Sequence, residues 1–449
     1  MKKIIRYTAL SAIVLSAGFV AACSETDAEQ DRGNVPVVKY VRDCDPAKGD
    51  SLIVAASLGA KLAIVGENLG DVQQVWFNDQ KVKLNPTMVT SHSIILDVPN
   101  VIPSEVNNLC RLITSTGITV EYPFTISIPA PRIDEMDCEW ALPGSNATFK
   151  GAYFADDPNV PMTVTFPGGL VADIVDFDQY NLTVKVPEGA AEGPVTVSTI
   201  YGDSKTPFNY RDTRGMLFDF EPDGVTGLGL LENKQGWHQP AYGNDENSLD
   251  GTYIRLGNGE ASLGNDVWDD SNFAFEYWAG SWSDPVTYPS RIGERLSDIV
   301  DFSDYQNLAV KFEMMIPESN PWQACAMQLI FAGVDRVSNS AAGVADIYGT
   351  IVAGGNNTFF QDDNGKADGL ARGLYRPWSA TDAFHTSGKW ITVKVPVKDF
   401  IYNSVGGKAA VPLTAKDFDC FTMFVWAGGA EGVACQPMIY IDNIRVVKN

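Results

Sequence analysis

The 449-residue sequence holds only three histidines, His92, His238 and His385, and no two cysteines at CxxC spacing. A zinc cluster is therefore excluded as an organising element. Positive charge is also short: 33 Lys and Arg stand against 56 Asp and Glu, for a formal charge of −23. Such a chain is repelled by nucleic acid phosphates and by anionic polysaccharide, which leaves neutral ligands favoured. Past residue 23 no apolar run nears the roughly 20 residues that a membrane-spanning helix needs. No convincing amphipathic helical period appears either, so helices are not expected to carry the fold. What remains is 45% hydrophobic residues, enough for several cores, with a length that suits three domains.

The first 22 residues stand apart. A basic start, MKKIIRY, leads into ALSAIVLSAGFV and then small residues, the layout of a secretory signal. Its ending, Val20-Ala21-Ala22-Cys23, resembles the bacterial lipobox, which implies lipidation of Cys23 after cleavage. Loss of Lys2, Lys3 and Arg6 with the signal takes the charge to about −26. The acidic stretch that follows, SETDAEQDRGN, reads as a flexible tether over 23–35, and resembles an export signal to the outer face of the outer membrane. Six further thiols remain, Cys44, Cys110, Cys138, Cys325, Cys420 and Cys435. Cys420 and Cys435 are one candidate disulfide, and several of the six read equally as plain buried thiols.

Residues 59–124 and 144–208 form a repeat. GAKLAIVGENLG and GSNATFKGAYFA each place two glycines seven residues apart, Gly59 and Gly66 in one, Gly144 and Gly151 in the other. Both continue to Val-Pro and end on Pro-Phe, and their lead-ins match as Asp43-Cys44-Asp45 and Asp137-Cys138-Glu139. Short β-rich runs between Gly, Pro and Asn turns predict a small antiparallel sandwich in each copy. They resemble IPT/TIG immunoglobulin-like domains, with expected spans of 36–129 and 130–212. Trp76 and Trp140 read as core or interdomain contacts, and IPAPR at 128–132 as a stiff spacer, so the pair is expected to act as a stalk.

Residues 213–449 hold eight of the ten tryptophans. Strand-like runs such as NLAVKFEMMI, AMQLIFAGV, CFTMFVWAG and MIYIDNIRVV, with Leu308, Val310, Phe312 and Met314 on one face, predict a larger jelly-roll-like β-sandwich. The expected fold class is thus all-β, two immunoglobulin-like sandwiches followed by this third one. Within it, FEYWAGSW at 275–282 packs four large rings ahead of and beyond an Ala-Gly-Ser bend. A neutral sugar has an apolar C–H face and a hydroxyl rim, so an exposed flat ring can cover the first while polar neighbours meet the second. Covering roughly 50–80 Å² per ring is worth on the order of 1–2 kcal/mol. Tyr277, Trp278 and Trp282, with Glu276, are the expected platform, and Phe273 and Phe275 the core beneath it. Trp237 in QGWHQ and Trp268 in DVWDD are further site candidates; Trp322 and Trp378 are weaker ones. Trp390 and Trp426 lie in apolar strands and are expected in the core. Asn272 and Arg376 could meet hydroxyls.

FDFE and YIDNIRVV resemble the first and last strands of many carbohydrate-binding modules, which implies Asp219, Glu221 and Asp442 as potential ligands of a structural Ca²⁺. With the lipobox and the IPT/TIG repeats, the run LFDFE…GW…GTYIRL…YW…NLAVKFEM…YIDNIRVV resembles the surface glycan-binding proteins of Sus-like polysaccharide-utilisation loci, those with a xyloglucan-binding-type last domain. The resemblance implies an aromatic platform for a β-glucan-like backbone, Tyr277-Trp278 matching its Tyr-Trp pair and Trp237 its third ring. It also implies a lipid anchor in the cell outer membrane, a SusC/SusD-like importer as neighbour, and capture of a neutral polysaccharide without catalysis. A cell-surface adhesin and a glycoside hydrolase are the alternatives; the second would need two carboxylates across a scissile bond, and no local acid motif supplies them.

Overall fold

The structure, a computed structural model, describes residues 26–48, 52–222, 227, 240–264, 267–277, 295–333 and 370–449. It is almost entirely β-structure, with helical segments of three or four residues. The chain divides into two compact units, 1–129 and 130–449.

In the first unit, Leu52–Ile53, Val37–Asp43, Lys61–Glu67 and Ser93–Asp97 form one four-stranded sheet, and Gln80–Lys81, Val72–Phe77, Leu109–Thr114 and Thr119–Pro123 another. Alternate residues of both turn inward, so that Leu62, Ile64, Val75, Phe77, Ile94 and Leu112 make one core. The second unit opens on a seven-stranded sheet from Arg132–Met136 to Gly202–Lys205, around Phe149, Phe166, Leu182, Val197 and Tyr210. The paired glycines of the repeat now have a physical reason. A Cβ on Gly66 would lie 1.9 Å from the carbonyl oxygen of Val37, and one on Gly151 the same distance from that of Arg132. Both sit opposite a β-bulge, between Val38 and Tyr40 and between Ile133 and Glu135. Gly59 and Gly144 share a left-handed backbone at φ +72° and +80°.

The rest of the second unit is a two-sheet sandwich. One sheet runs Ala241–Gly243, Tyr253–Leu256, Ile439–Lys448, Leu308–Met315, Ile391–Pro396, with Met216–Phe218 also paired to Ile439–Lys448. The other runs Ala274–Tyr277, Cys420–Val425, Met327–Ala332, Gly373–Tyr375. Phe218, Phe275, Val310, Phe312, Leu329, Phe331, Phe421 and Ile441 fill the space between them. Leu308, Val310, Phe312 and Met314 share that face, as their alternation predicts.

Their neighbours Lys311 and Glu313 do not face water. The Lys311 ammonium bonds to Glu139 of the immunoglobulin-like sheet, and Arg445 donates to Glu139 Oε2 at 2.9 Å and to both Glu313 oxygens at 2.7 and 3.0 Å. All four charges are buried. Thr392 reinforces the junction, its hydroxyl accepting from the Glu139 amide at 2.7 Å and its own amide donating to the Asp137 carbonyl at 2.7 Å.

None of the six cysteines from Cys44 onward is in a disulfide among the described residues, which corrects the candidate pairing of Cys420 with Cys435. Cys420 starts the strand Cys420–Val425, whereas Cys435 pairs with Leu263 beyond that strand's far end, where the Cys325 thiol meets the Gly264 carbonyl. A six-residue strand is roughly 17–20 Å long, far past disulfide reach. No helix among the described residues is long and apolar enough to cross a membrane.

Candidate functional site

The strand Ala274–Tyr277 is buried at every position. Phe275 and Tyr277 turn into the sandwich, where both rings pack on Phe218, at 4.9 and 5.4 Å between centroids. Tyr277 is 1% exposed, which corrects its place in the expected platform: it is a core residue. The period-2 rule that sends Phe275 inward sends Tyr277 with it, because the strand pairs regularly with Cys420–Val425 through Tyr277 and Phe421. Glu276 points to the other face, in register with Thr422, and is 2% exposed, so it does not stand at an open surface as expected. Trp237, Trp278, Trp282 and Cys23 lie outside the described residues.

Trp268 is the expected site residue that the structure places at the surface, 41% exposed. It precedes the short helix Asp270–Phe273, which Asp269 caps by accepting from the Asn272 amide. The indole N–H donates to Asp270 Oδ2 at 2.9 Å, and the ring packs edge-to-face against Phe424 and Trp426. Asn272 is turned back to Asp269, its amide donating at 2.8 Å, and Arg376 donates to the Gly428 carbonyl.

The other tryptophans sort by what holds their N–H. Trp322 and Trp378 are buried, donating to Ala324 and Cys325 carbonyls at 2.6 and 2.7 Å, and are core rather than site residues. Trp390 is partly buried and donates to the Asn247 carbonyl at 2.8 Å. Trp426, expected in the core, is partly buried at the end of the strand Cys420–Val425 and packs against the sandwich core. Its ring lies 4.8 Å from that of Trp268, and the Phe424 ring lies 4.9 Å from Trp268 as well.

Two clefts flank the buried ion cluster, of about 710 and 420 Å³. Their aromatic rings are covered by cations. Lys311 sits 5.3 Å over Phe208 in the larger, and Arg211 sits 5.3 Å over Trp140 in the smaller. Neither presents a bare ring to a sugar. The smaller cleft contains Asp219 and Glu221, whose oxygens accept backbone amides of Glu221, Gly227 and Thr252. Asp442 lies buried, accepting from the Asn443 amide. Among the described residues no group of three His, Cys, Asp or Glu side chains converges on one point.

Immunoglobulin-like modules followed by a two-sheet β-sandwich place the chain in the class of modular all-β proteins. Residues 210–448 match the family model of the surface glycan-binding protein B xyloglucan binding domain, and the chain belongs to that family. It is similar to the crystal structure of the surface glycan-binding protein PbSGBP-B from Prevotella bryantii, at 38% identity and TM-score 0.75, over 92% of this chain and 99% of that one. An IPT/TIG domain-containing protein of Bacteroides ovatus is 30% identical over 211 residues, 44% of this chain and 42% of that relative, so the chain matches less than half the length of that curated relative.

Proposed function

We propose that this protein is a lipid-anchored protein of the outer membrane's external face that captures an uncharged β-glucan, xyloglucan or mixed-linkage glucan, with its last module and does not cleave it. The observation that carries this reading is the match of that module, residues 210–448, to a xyloglucan-binding family. The chain's charge of −23 disfavours acidic polysaccharides and so supports a neutral ligand. Cys23 would bear the lipid, and the two immunoglobulin-like modules would hold the binding module away from the membrane. Residues 27–31, read from the sequence as part of the tether, instead dock on the first module, where Asp31 accepts from the Gly70 amide at 2.8 Å and Asp27 from the Ser91 amide at 3.0 Å. A SusC/SusD-like importer would receive the glycan, which suits an affinity in the millimolar to micromolar range, weak enough for release.

Native electrophoresis of the full chain in gels containing xyloglucan, mixed-linkage glucan, laminarin or mannan tests the reading. Retardation by xyloglucan or mixed-linkage glucan with no release of reducing sugar is expected. Unchanged migration in every gel, or reducing sugar in the xyloglucan sample, would overturn it.

A further inference from the structure

We infer that one end of the first module is a membrane-contact face, where Val35, Val37, Met88, Arg32 and His92 rest against lipid head groups. The inference rests on the reading of Cys23 as the lipidated residue and adds to it a surface and a fixed height.

The acidic stretch that the sequence suggests as a tether is folded from Thr26 onward. Thr26 caps the short helix Asp27–Gln30, its hydroxyl accepting from the Glu29 amide at 3.3 Å and its own amide donating to Glu29 Oε2 at 3.2 Å. Two carboxylates strap this helix to the module. Asp27 Oδ2 accepts from the Ser91 amide and Asp31 Oδ2 from the Gly70 amide, and Asp31 is buried. The fit is close at Gly70, where a Cβ would lie 2.5 Å from the Asp27 carbonyl oxygen. Past the helix, Asn68 donates through Nδ2 to the Val35 carbonyl at 3.1 Å. Hydrogen bonds to a carboxylate are among the stronger ones, so the strap resists detachment in a way that a solvated linker does not.

Cys23 precedes Thr26 by three positions. Three extended residues span about 11 Å at most. A lipid seated in the bilayer through Cys23 thus has too little reach to hold the strapped module clear of the head groups.

The residues around the strap suit that contact. Val35 and Val37 follow it directly and point to one side, 57% and 45% exposed, and Met88, three positions before Ser91, is exposed as well. Arg32 and His92, both exposed, adjoin the anchoring residues Asp31 and Ser91. The exposed carboxylates nearby are engaged, Glu29 with the Thr26 amide and Glu67 with Lys39. Apolar side chains that enter the head-group layer, beside basic ones that meet lipid phosphates, are the composition of an interfacial contact.

The test uses the full chain, lipidated in a bacterial host and reconstituted into vesicles of phosphatidylethanolamine and phosphatidylglycerol, and follows amide hydrogen exchange by mass spectrometry. Vesicle-bound wild type is compared with Cys23→Ser, which carries no lipid, in solution. Exchange across 32–35 and 86–92 is expected to be about fivefold slower on vesicles. In the double variant Val35→Glu, Met88→Glu, which keeps its lipid and alters only exposed side chains, that slowing should vanish. Asp31→Ala should speed exchange of the Gly70 amide about tenfold. Vesicle-bound wild type with solution-like exchange, slowing that persists in the double variant, or an unchanged Gly70 amide in Asp31→Ala would overturn the inference and leave the lipid-anchor reading standing. A wild type that does not sediment with vesicles would overturn both.

Discussion

Arg445, four residues before Asn449, bonds to Glu139 of the second immunoglobulin-like module at 2.9 Å, across 306 positions of sequence. The same guanidinium also holds Glu313, and Lys311 completes the set, so two carboxylates and two cations share one buried junction. Burial opposes the charge on Arg445, but the flanking carboxylates hold it on. A buried pair of this kind gives little net stability relative to apolar packing, yet removing one partner strands the others.

Glu139→Ala should therefore leave Arg445 and Lys311 with one carboxylate between them and destabilise residues 130–449 by about 3–5 kcal/mol. Differential scanning calorimetry should show this unit melting in a single transition in the wild type and earlier in the variant. A wild-type melting temperature for Glu139→Ala would contradict the role assigned to the junction.

Tyr277 and Trp268 should part company on truncation. Tyr277→Ala removes a buried ring from the core beside Phe218, a change worth about 3–5 kcal/mol, so chemical denaturation should show a clearly lower midpoint. Trp268→Ala, at a partly exposed ring, should lose far less stability. Equal losses would mean that Trp268 serves the core.

Gly428→Ala would put a Cβ 2.2 Å from that of Ala326 and force a side chain into φ 88°. Left-handed strain alone costs roughly 1–2 kcal/mol. The turn after Trp426 should shift, so we expect a fall in melting temperature. A wild-type melting temperature would show that the turn accommodates a side chain there.

Stability should also depend on the protonation of Asp442. Burial, then the nearby Asp250 carboxylate, push its carboxyl well above the usual range, and burial raises Asp250 too despite Arg211. A folded-state value above the unfolded one means the folded chain binds the extra proton. The associated stability is fully present below the unfolded value, near 3.8, and is lost as pH rises through the raised folded value. Asp442→Asn, neutral at every pH, should raise the melting temperature at pH 8 and change it little at pH 4. The opposite order, or a flat difference, would refute the assignment.

The repeat shows how far local pattern reaches. Gly59 with Gly144, and Gly66 with Gly151, were legible as pairs in the sequence, and the structure gives each pair one matched role, in a left-handed turn or against a neighbouring carbonyl. Lys311 and Glu313 mark its limit. As polar residues alternating with apolar ones they read as a solvated face, and only the packing of a second module against that sheet turned them into a buried cluster. Tyr277 was misplaced for a related reason: it sits at the end of a strand in a run of aromatics, and nothing local says which face a neighbouring sheet will cover.

From sequence alone came the β class, the tandem repeat, the composition suited to a neutral ligand and the concentration of indoles in the last module. These depend on period, spacing and charge, which act over a few residues or over the whole chain at once. The tertiary structure decided which rings face water, which charges are enclosed and which thiols stay apart. Those outcomes depend on contacts between strands a hundred or more positions distant, such as Ala274–Tyr277 with Cys420–Val425, whose pairing no local pattern encodes.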